Sequence, residues 1–320
     1  FKRVYSEPEI FSHVVGYTGF VTENDREKDS SLTFDDIIGK SGLEAYYNNS
    51  LKGKSGLIIG YRNAKGEILE KKQVSDPQPG KDLHSTIDAE FQSYFYRRLQ
   101  EGLNSLGKKS GVGIALNPRN GEVLSLINIP SFNSNKITPE SLTDPSKPFF
   151  NRAISGVYAP GSTIKPLVAI AALKEKIIDP SKKILSTGYI EIPNPYYPDK
   201  PSRFVDWKPN GWVDLYSAIA RSCNIYFYEV GGGFEDQKGL GIEKLKEYWQ
   251  KFGLGQKTGI DLVGEEKGYL PDPTEKEKRT KTPWRVGDTY NVSIGQGDLL
   301  VTPIQLINYI SLIANNGINY

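Results

Sequence analysis

Histidine and cysteine are nearly missing: the 320-residue chain holds two His and one Cys. A lone cysteine, Cys223, excludes an internal disulfide framework and a cysteine-based zinc site. His13 and His84 are far apart in sequence, lack metal-ligand spacing and have no nucleophile motif beside them. Imidazole-dependent hydrolysis is therefore disfavoured. No run of ~18 apolar residues occurs, so nothing in this sequence reads as a bilayer-spanning helix. Neither sign of charge dominates: 40 Lys+Arg stand against 38 Asp+Glu, a net +2. Nucleic acid is thereby disfavoured as a main partner, because the basic footprint it needs is lacking. Methionine is absent and the first residue is Phe1, so the chain is expected to be a fragment or a processed product.

The balance that remains, 24% charged and 11% aromatic, is that of a folded chain long enough for two domains. Glycines punctuate residues 1–80. Within them, Leu57–Tyr61 and Glu67–Leu69 read as strands around the turn Asn63–Gly66, and Ser41–Tyr47 as a short helix. The stiff stretch Asp76-Pro77-Gln78-Pro79-Gly80 sets an expected boundary between residues 1–80 and 81–320. Beyond it, Phe91, Tyr94, Phe95 and Leu99 recur at helical spacing. Gly111–Ala115 and Glu122–Ile127 flank Asn117-Pro118-Arg119-Asn120-Gly121, a hairpin signal because Pro and Gly preset the turn dihedrals. Helices are expected over Ser162–Ile178, Ala218–Val230 and Ile242–Phe252. A last one follows Thr302-Pro303, with Thr as N-cap, Pro at the first helical position and Gly317 at C′.

The chemistry concentrates in two places. Ser162 and Lys165, in Gly161-Ser162-Thr163-Ile164-Lys165-Pro166, are three apart at the start of an apolar helix, so both face one side of its first turn. The helix dipole favours negative charge developing there. A lysine half-buried beside Leu167, Val168 and Ile170 loses affinity for its proton and can take one from Ser162. Ser222-Cys223-Asn224 offers a hydroxyl and an amide two residues apart that can enter one site. Cys223 between them reads as a small buried filler. Each motif is weak alone. Ser105–Lys108 repeats the first spacing and Ser131–Asn133 the second, and the ordinary meaning of either is a helix cap or a satisfied turn.

Order supplies the missing specificity. The blocks Asp82-Leu83-His84-Ser85-Thr86-Ile87-Asp88, Asn117–Leu124, Ala159–Pro166, Ser222-Cys223-Asn224 and Ser293-Ile294-Gly295-Gln296-Gly297 come in the order and context of a class B penicillin-binding protein. Gly39–Glu44 resembles the helix start of that family's N-terminal module, so the resemblance covers nearly the whole chain. It implies a mixed α/β (α+β) fold: a transpeptidase domain with an antiparallel sheet flanked by helices, over 81–320, after an extended non-catalytic module over 1–80. It implies Ser162 as acylated nucleophile, with half of an oxyanion hole from its N–H, and Lys165 as general base. Ser222 would relay protons, and Asn224 would hold Lys165 and the substrate amide. Gln296 is assigned to the substrate side of the cleft, in a loop read as mainly architectural. The implied reaction is D,D-transpeptidation of peptidoglycan stem peptides through a serine acyl-enzyme, without metal or organic cofactor. Implied partners are the stem peptides, β-lactams as covalent inhibitors, and elongation-complex proteins including a membrane glycosyltransferase of the SEDS family. The implied location is the bacterial inner membrane, with the catalytic domain outside the cytoplasm.

Two departures matter. Lys257-Thr258-Gly259 mimics the family's third motif, but it precedes Ser293–Gly297 where the family's follows it. It is read as a loop before a short strand at Ile260–Leu262. The true third motif is expected beyond Tyr320, so this segment by itself is expected to be inactive. Asp206–Trp212 also stands where many relatives carry a Gly-His-Gly run, which puts fine specificity in doubt. Rival readings are a serine β-lactamase or penicillin-sensing receptor, against which the module at 1–80 counts, and a non-catalytic scaffold of the same fold.

Overall fold

The computed structural model describes residues 3–194 and 199–320. Two compact units result: Phe1–Ala153 with Gly259–Glu265 and Tyr320, and Ile154–Thr258 with Glu266–Asn319. The boundary expected at residue 80 falls within the first. Helices and strands mix, and the strands of the described residues form five separate two-stranded ladders, all antiparallel.

In the first unit, Leu57–Arg62 pairs with Ile68–Ser75. The second strand outruns its expected end because Leu57 pairs with Ser75. Asn63 closes the turn, its Oδ1 accepting from the amides of Lys65 and Glu67 at 2.9 and 3.0 Å. The stiff stretch at 76–80 does not run free: Gln78 and Lys54 exchange backbone bonds of 2.9 Å in both directions.

The helix Ala89–Ser105 starts where the Asp88 carboxylate accepts from Phe91 N, relieving one of the amides a helix start leaves unpaired. Its inward face differs from the expected stripe. Tyr94 points outward at 61% exposure, while Tyr96, Phe95, Leu99 and Leu103 pack with Ile127 and Ile129. Aromatic content alone hid this, because the inward face also carries a polar residue. Gln92 is fully buried. Its Nε2 donates to the carbonyls of Ile10 and Leu126, and its Oε1 accepts from Ser125 Oγ and Leu126 N. With both ends bonded, the amide escapes the cost of an unsatisfied buried group. The hairpin Gly111–Leu116/Val123–Ile129 forms as expected around Asn117–Gly121.

The second unit is built on apolar helices. Leu245, Tyr248 and Trp249 anchor Gly241–Lys251 at helical spacing. Pro303–Ala314 starts in a capping box, Thr302 N donating to Gln305 Oε1 and Gln305 N to Thr302 Oγ1. Its left-handed C′ position is Asn316, one residue before the expected Gly317, whose amide returns to Leu312 O at 2.7 Å. Ile260–Leu262, in the segment Gly259–Glu265 that belongs to the first unit, is not a strand; Leu262 N donates to Ile260 O in a tight turn.

The expected helix over Ala218–Val230 is two helices, Leu215–Ala220 and Asn224–Gly232, broken where Ser222 takes a φ of 52°. Helix Asn224–Gly232 is buried through Ile225–Gly231, Glu229 included, and burial pushes that carboxyl up to about 7. Its closing glycines are more than punctuation. A Cβ on Gly231 would lie 1.8 Å from Ser293 Oγ and 2.5 Å from Ser293 Cβ, so they let helix Val286–Ser293 approach. Gly231→Ala should destabilise the protein by about 1–3 kcal/mol through overpacking. Urea unfolding measures this; an unchanged midpoint would contradict the contact.

Candidate active site

Ser162 lies on one 3-10 turn, Gly161–Ile164, that runs straight into helix Lys165–Lys174. This is shorter than the helix expected over 162–178, since Lys176 turns left-handed with a φ of 57°. Pro166 fits because the first amides of a helix need no partner within it. Three contacts hold the turn from behind. Gly161 N donates to Gly295 O at 2.8 Å, Thr163 Oγ1 donates to Pro160 O at 2.7 Å, and the Tyr309 hydroxyl donates to Thr163 O. A Cβ on Gly295 would sit 2.2 Å from Gly161 O, so the Ser293–Gly297 loop has an architectural task.

The turn exposes Ser162 while Lys165 is only 2% exposed. The three ammonium protons have three acceptors: Ser222 O at 2.8 Å, Ser222 Oγ at 3.1 Å and Asn224 Oδ1 at 2.8 Å. The Phe227 ring lies 5.5 Å from Nζ. Burial lowers the lysine to a pKa of about 8, against the opposing pull of Asp206 and Cys223. Ser222 Oγ in turn donates to Ser162 Oγ at 2.9 Å. Ser162, Ser222, Lys165 and Asn224 thus form one hydrogen-bonded chain, in which the Ser222 hydroxyl links the outer serine to the buried amine.

Gln296 stands outside that chain, exposed, its backbone N–H donating to Asn291 O at 2.9 Å. Cys223 is fully buried and its thiol is pushed up to about 11, chiefly by burial. It therefore stays a neutral thiol, donating to Asp206 Oδ2 at 3.2 Å. Asp206, which the sequence marked only as the first residue of the divergent stretch Asp206–Trp212, is a further functional candidate. It lies 18 residues before Asn224, and nothing else in its local pattern marks it.

The look-alike motifs sit in ordinary structure. Ser105 Oγ donates to Gly102 O at the end of its own helix. Ser131 Oγ shares a bond with Tyr96 Oη, and Asn133 Oδ1 accepts from Asn135 N in a turn. Lys257 is exposed in a loop. His13, buried and lowered to about 4 by that burial, and the exposed His84 both belong to the first unit. Among the described residues, no group of three or more His, Cys, Asp or Glu is placed to hold a metal ion.

A lysine whose folded pKa is about 8, against an ordinary 10.5, leaves the unfolded chain binding more protons across that window. Its contribution to stability therefore rises as pH rises from 8 toward 10.5. Lys165→Met should flatten the gain in unfolding free energy between pH 8 and pH 10 by about 2 kcal/mol. Denaturant titrations at both pH values check this, and parallel slopes would contradict the burial argument.

Comparison with known proteins gives the site its context. Residues 111–320 match the penicillin binding protein transpeptidase domain, and residues 1–85 the penicillin-binding protein dimerisation domain. A peptidoglycan D,D-transpeptidase MrdA of Acinetobacter baumannii is 36% identical over 330 residues, 98% of this chain and 46% of that protein. The chain spans about half the length of the curated relatives it matches. Among solved structures, the penicillin-binding protein PBP2 of Helicobacter pylori in complex with MreC is 33% identical with a TM-score of 0.79, covering 98% of this chain and 57% of that one. PBP2 of Pseudomonas aeruginosa in complex with WCK 5153 is 32% identical with a TM-score of 0.76, covering 98% and 64%. With its transpeptidase match covering well over half its length, the chain belongs to the penicillin-binding protein transpeptidase family.

Proposed function

We propose that the protein is a peptidoglycan D,D-transpeptidase of cell-wall elongation, with 81–320 part of the transpeptidase domain, whose third motif lies beyond Tyr320, and 1–80 a non-catalytic module. The observation that carries this reading is the chain Lys165–Ser222–Ser162, joined by bonds of 3.1 and 2.9 Å. Such distances suit proton transfer. At pH 7 a lysine at about 8 is neutral in roughly a tenth of molecules, against about three in ten thousand for an ordinary lysine at 10.5. Burial thus multiplies the available base roughly 300-fold.

In the proposed sequence Ser162 Oγ attacks the carbonyl of the penultimate D-Ala of a stem peptide. Its proton passes to Ser222 Oγ as the Ser222 proton passes to neutral Lys165. In this reading the Ser162 N–H donates one hydrogen bond to the oxyanion, Gly161 N being held by Gly295 O. The tetrahedral species expels D-Ala, whose amine takes a proton back along the same path. An amine of a neighbouring stem then attacks the Ser162 ester and gives up its proton by the same relay. The cross-link forms and the serine hydroxyl returns. Asn224, bonded to Lys165, and the exposed Gln296 are the residues we assign to the substrate. β-Lactams would enter as acylating mimics of the donor.

The relatives' names speak of peptidoglycan synthesis, which supports a place in the cell envelope. Inner-membrane anchoring and a SEDS-family glycosyltransferase partner are the finer parts of this proposal. The MreC complex of the Helicobacter protein supports an elongation assembly for relatives of this chain.

Incubating the complete protein with a fluorescent penicillin, then locating the adduct by peptide mass spectrometry, tests the reading. A persistent adduct on Ser162 is expected, lost in Ser162→Ala, with a labelling rate that climbs with pH to a plateau through a midpoint near 8. Lys165→Met should lower the rate by about 10²–10⁴-fold. Undiminished labelling of Ser162→Ala would overturn the assignment, and rapid release of the adduct would point to a β-lactamase.

A further inference from the structure

The Ser222–Asn224 turn poses a structural problem. Ser222 holds a left-handed backbone at a φ of 52°, a conformation that costs a non-glycine residue energy and persists only when its surroundings fix it. Helix Asn224–Gly232 also begins with no side-chain cap from its own N-cap residue, Cys223. Its first amides need partners from elsewhere.

Asp206 supplies them. Its Oδ2 accepts from Asn224 N at 2.9 Å, Ile225 N at 3.3 Å and Cys223 Sγ at 3.2 Å. The carboxylate is itself held: Oδ1 accepts from Trp207 N at 2.9 Å, and Oδ2 is approached by Ser186 Oγ and Asn210 Nδ2, each at 3.4 Å. Asn210 O accepts from Arg221 Nη1 at 3.2 Å, one residue before Ser222. A negative charge at a helix N-terminus is favoured by the dipole as well as by the amides. The backbone that Asp206 grips is the one whose side chains, Ser222 Oγ and Asn224 Oδ1, bond Lys165.

We propose that Asp206 is a positioning residue for acyl transfer: its carboxylate locks the Ser222–Asn224 turn in the register that aims Ser222 Oγ and Asn224 Oδ1 at Lys165. This rests on the reading that Ser162 is acylated with Lys165 as base. It goes further by giving the lysine an electrostatic counterweight 41 residues along the chain. The charged and titratable groups that act on Lys165 are Asp206 and Cys223, the latter a neutral thiol at physiological pH. Tyr228 also feels Asp206, and is pushed up to about 12 chiefly by its own burial, so it does not titrate in the range tested.

The test compares β-lactam acylation of the complete protein, unaltered and with Asp206→Asn, Asp206→Glu or Asp206→Ala, from pH 6 to pH 10. The readouts are the acylation rate constant, the non-covalent affinity and the adduct site. Asp206→Asn keeps an acceptor for the amides but loses the charge, so the midpoint of the pH profile should fall by about one unit. Asp206→Glu keeps the charge and should hold the midpoint near that of the unaltered protein. Asp206→Ala should lower the plateau rate constant by about tenfold or more, with the non-covalent affinity little changed. A merely structural role would lower the melting temperature of all three without moving the midpoint in Asp206→Asn. That result, with Ser162 acylated in the unaltered protein, overturns the positioning role alone. Failure of the unaltered protein to form any adduct on Ser162 overturns both the role and the reading beneath it.

Discussion

The exclusion of water from one ammonium group is the constraint on which the rest of this site depends. Lys165 sits at the start of a helix with no polar face, wedged among the residues that pack Leu167, Val168 and Phe227 out of solvent. A charge in such a place is costly unless every proton finds an acceptor. The fold meets that demand with three oxygens, two from Ser222 and one from Asn224. The same shortage of solvent that makes the charge expensive makes the neutral amine accessible near physiological pH. In the proposed reaction stability and chemistry are therefore opposed at this residue.

Several features of the second unit follow from that demand. The helix break at Ser222 is needed because an unbroken helix over 218–230 could not turn both a backbone carbonyl and a side-chain hydroxyl of one residue toward the same Nζ. The 3-10 turn at Gly161–Ile164 leaves Ser162 in solvent while Lys165, three residues on, is sealed. Tyr309 and Gly295 stiffen that turn from helix Pro303–Ala314 and from the loop before it. Gly231 and Gly232 draw helix Val286–Ser293 close, closing the core around the buried face of helix Asn224–Gly232.

Much of this was legible in the sequence, for stated reasons. Ser162 and Lys165 are close in the chain, so helical spacing alone brings them to one side. Ser222 and Asn224 are likewise neighbours, and their order relative to Ser162 identified the family context. The hairpin at Asn117–Gly121 and the box at Thr302–Gln305 follow from turn and cap chemistry, which is local. The failures were non-local. Asp206 caps a helix 18 residues away, and no pattern near it announces the bond. The break at Ser222 was hidden because the apolar residues on either side of Ser222-Cys223-Asn224 read as one buried helix, while the contacts of the turn with Lys165 and Asp206 come from distant parts of the chain. Tyr94 looked like a core residue and Gln92 did not, since periodicity cannot foresee that a buried amide will find four partners. The strand expected at Ile260–Leu262 failed because two apolar residues around Asp261, with no neighbouring strand, have nothing to pair with.

The central claim is that burial, and not a neighbouring imidazole, prepares the base. Direct titration of Lys165 by NMR, following its side-chain carbon shifts in lysine-labelled protein with Lys165→Arg to assign the signal, addresses this without any substrate. The account predicts a midpoint near 8. A midpoint at the ordinary lysine value of 10.5 would mean that the amine is solvated and protonated throughout the working range, and the account would fail.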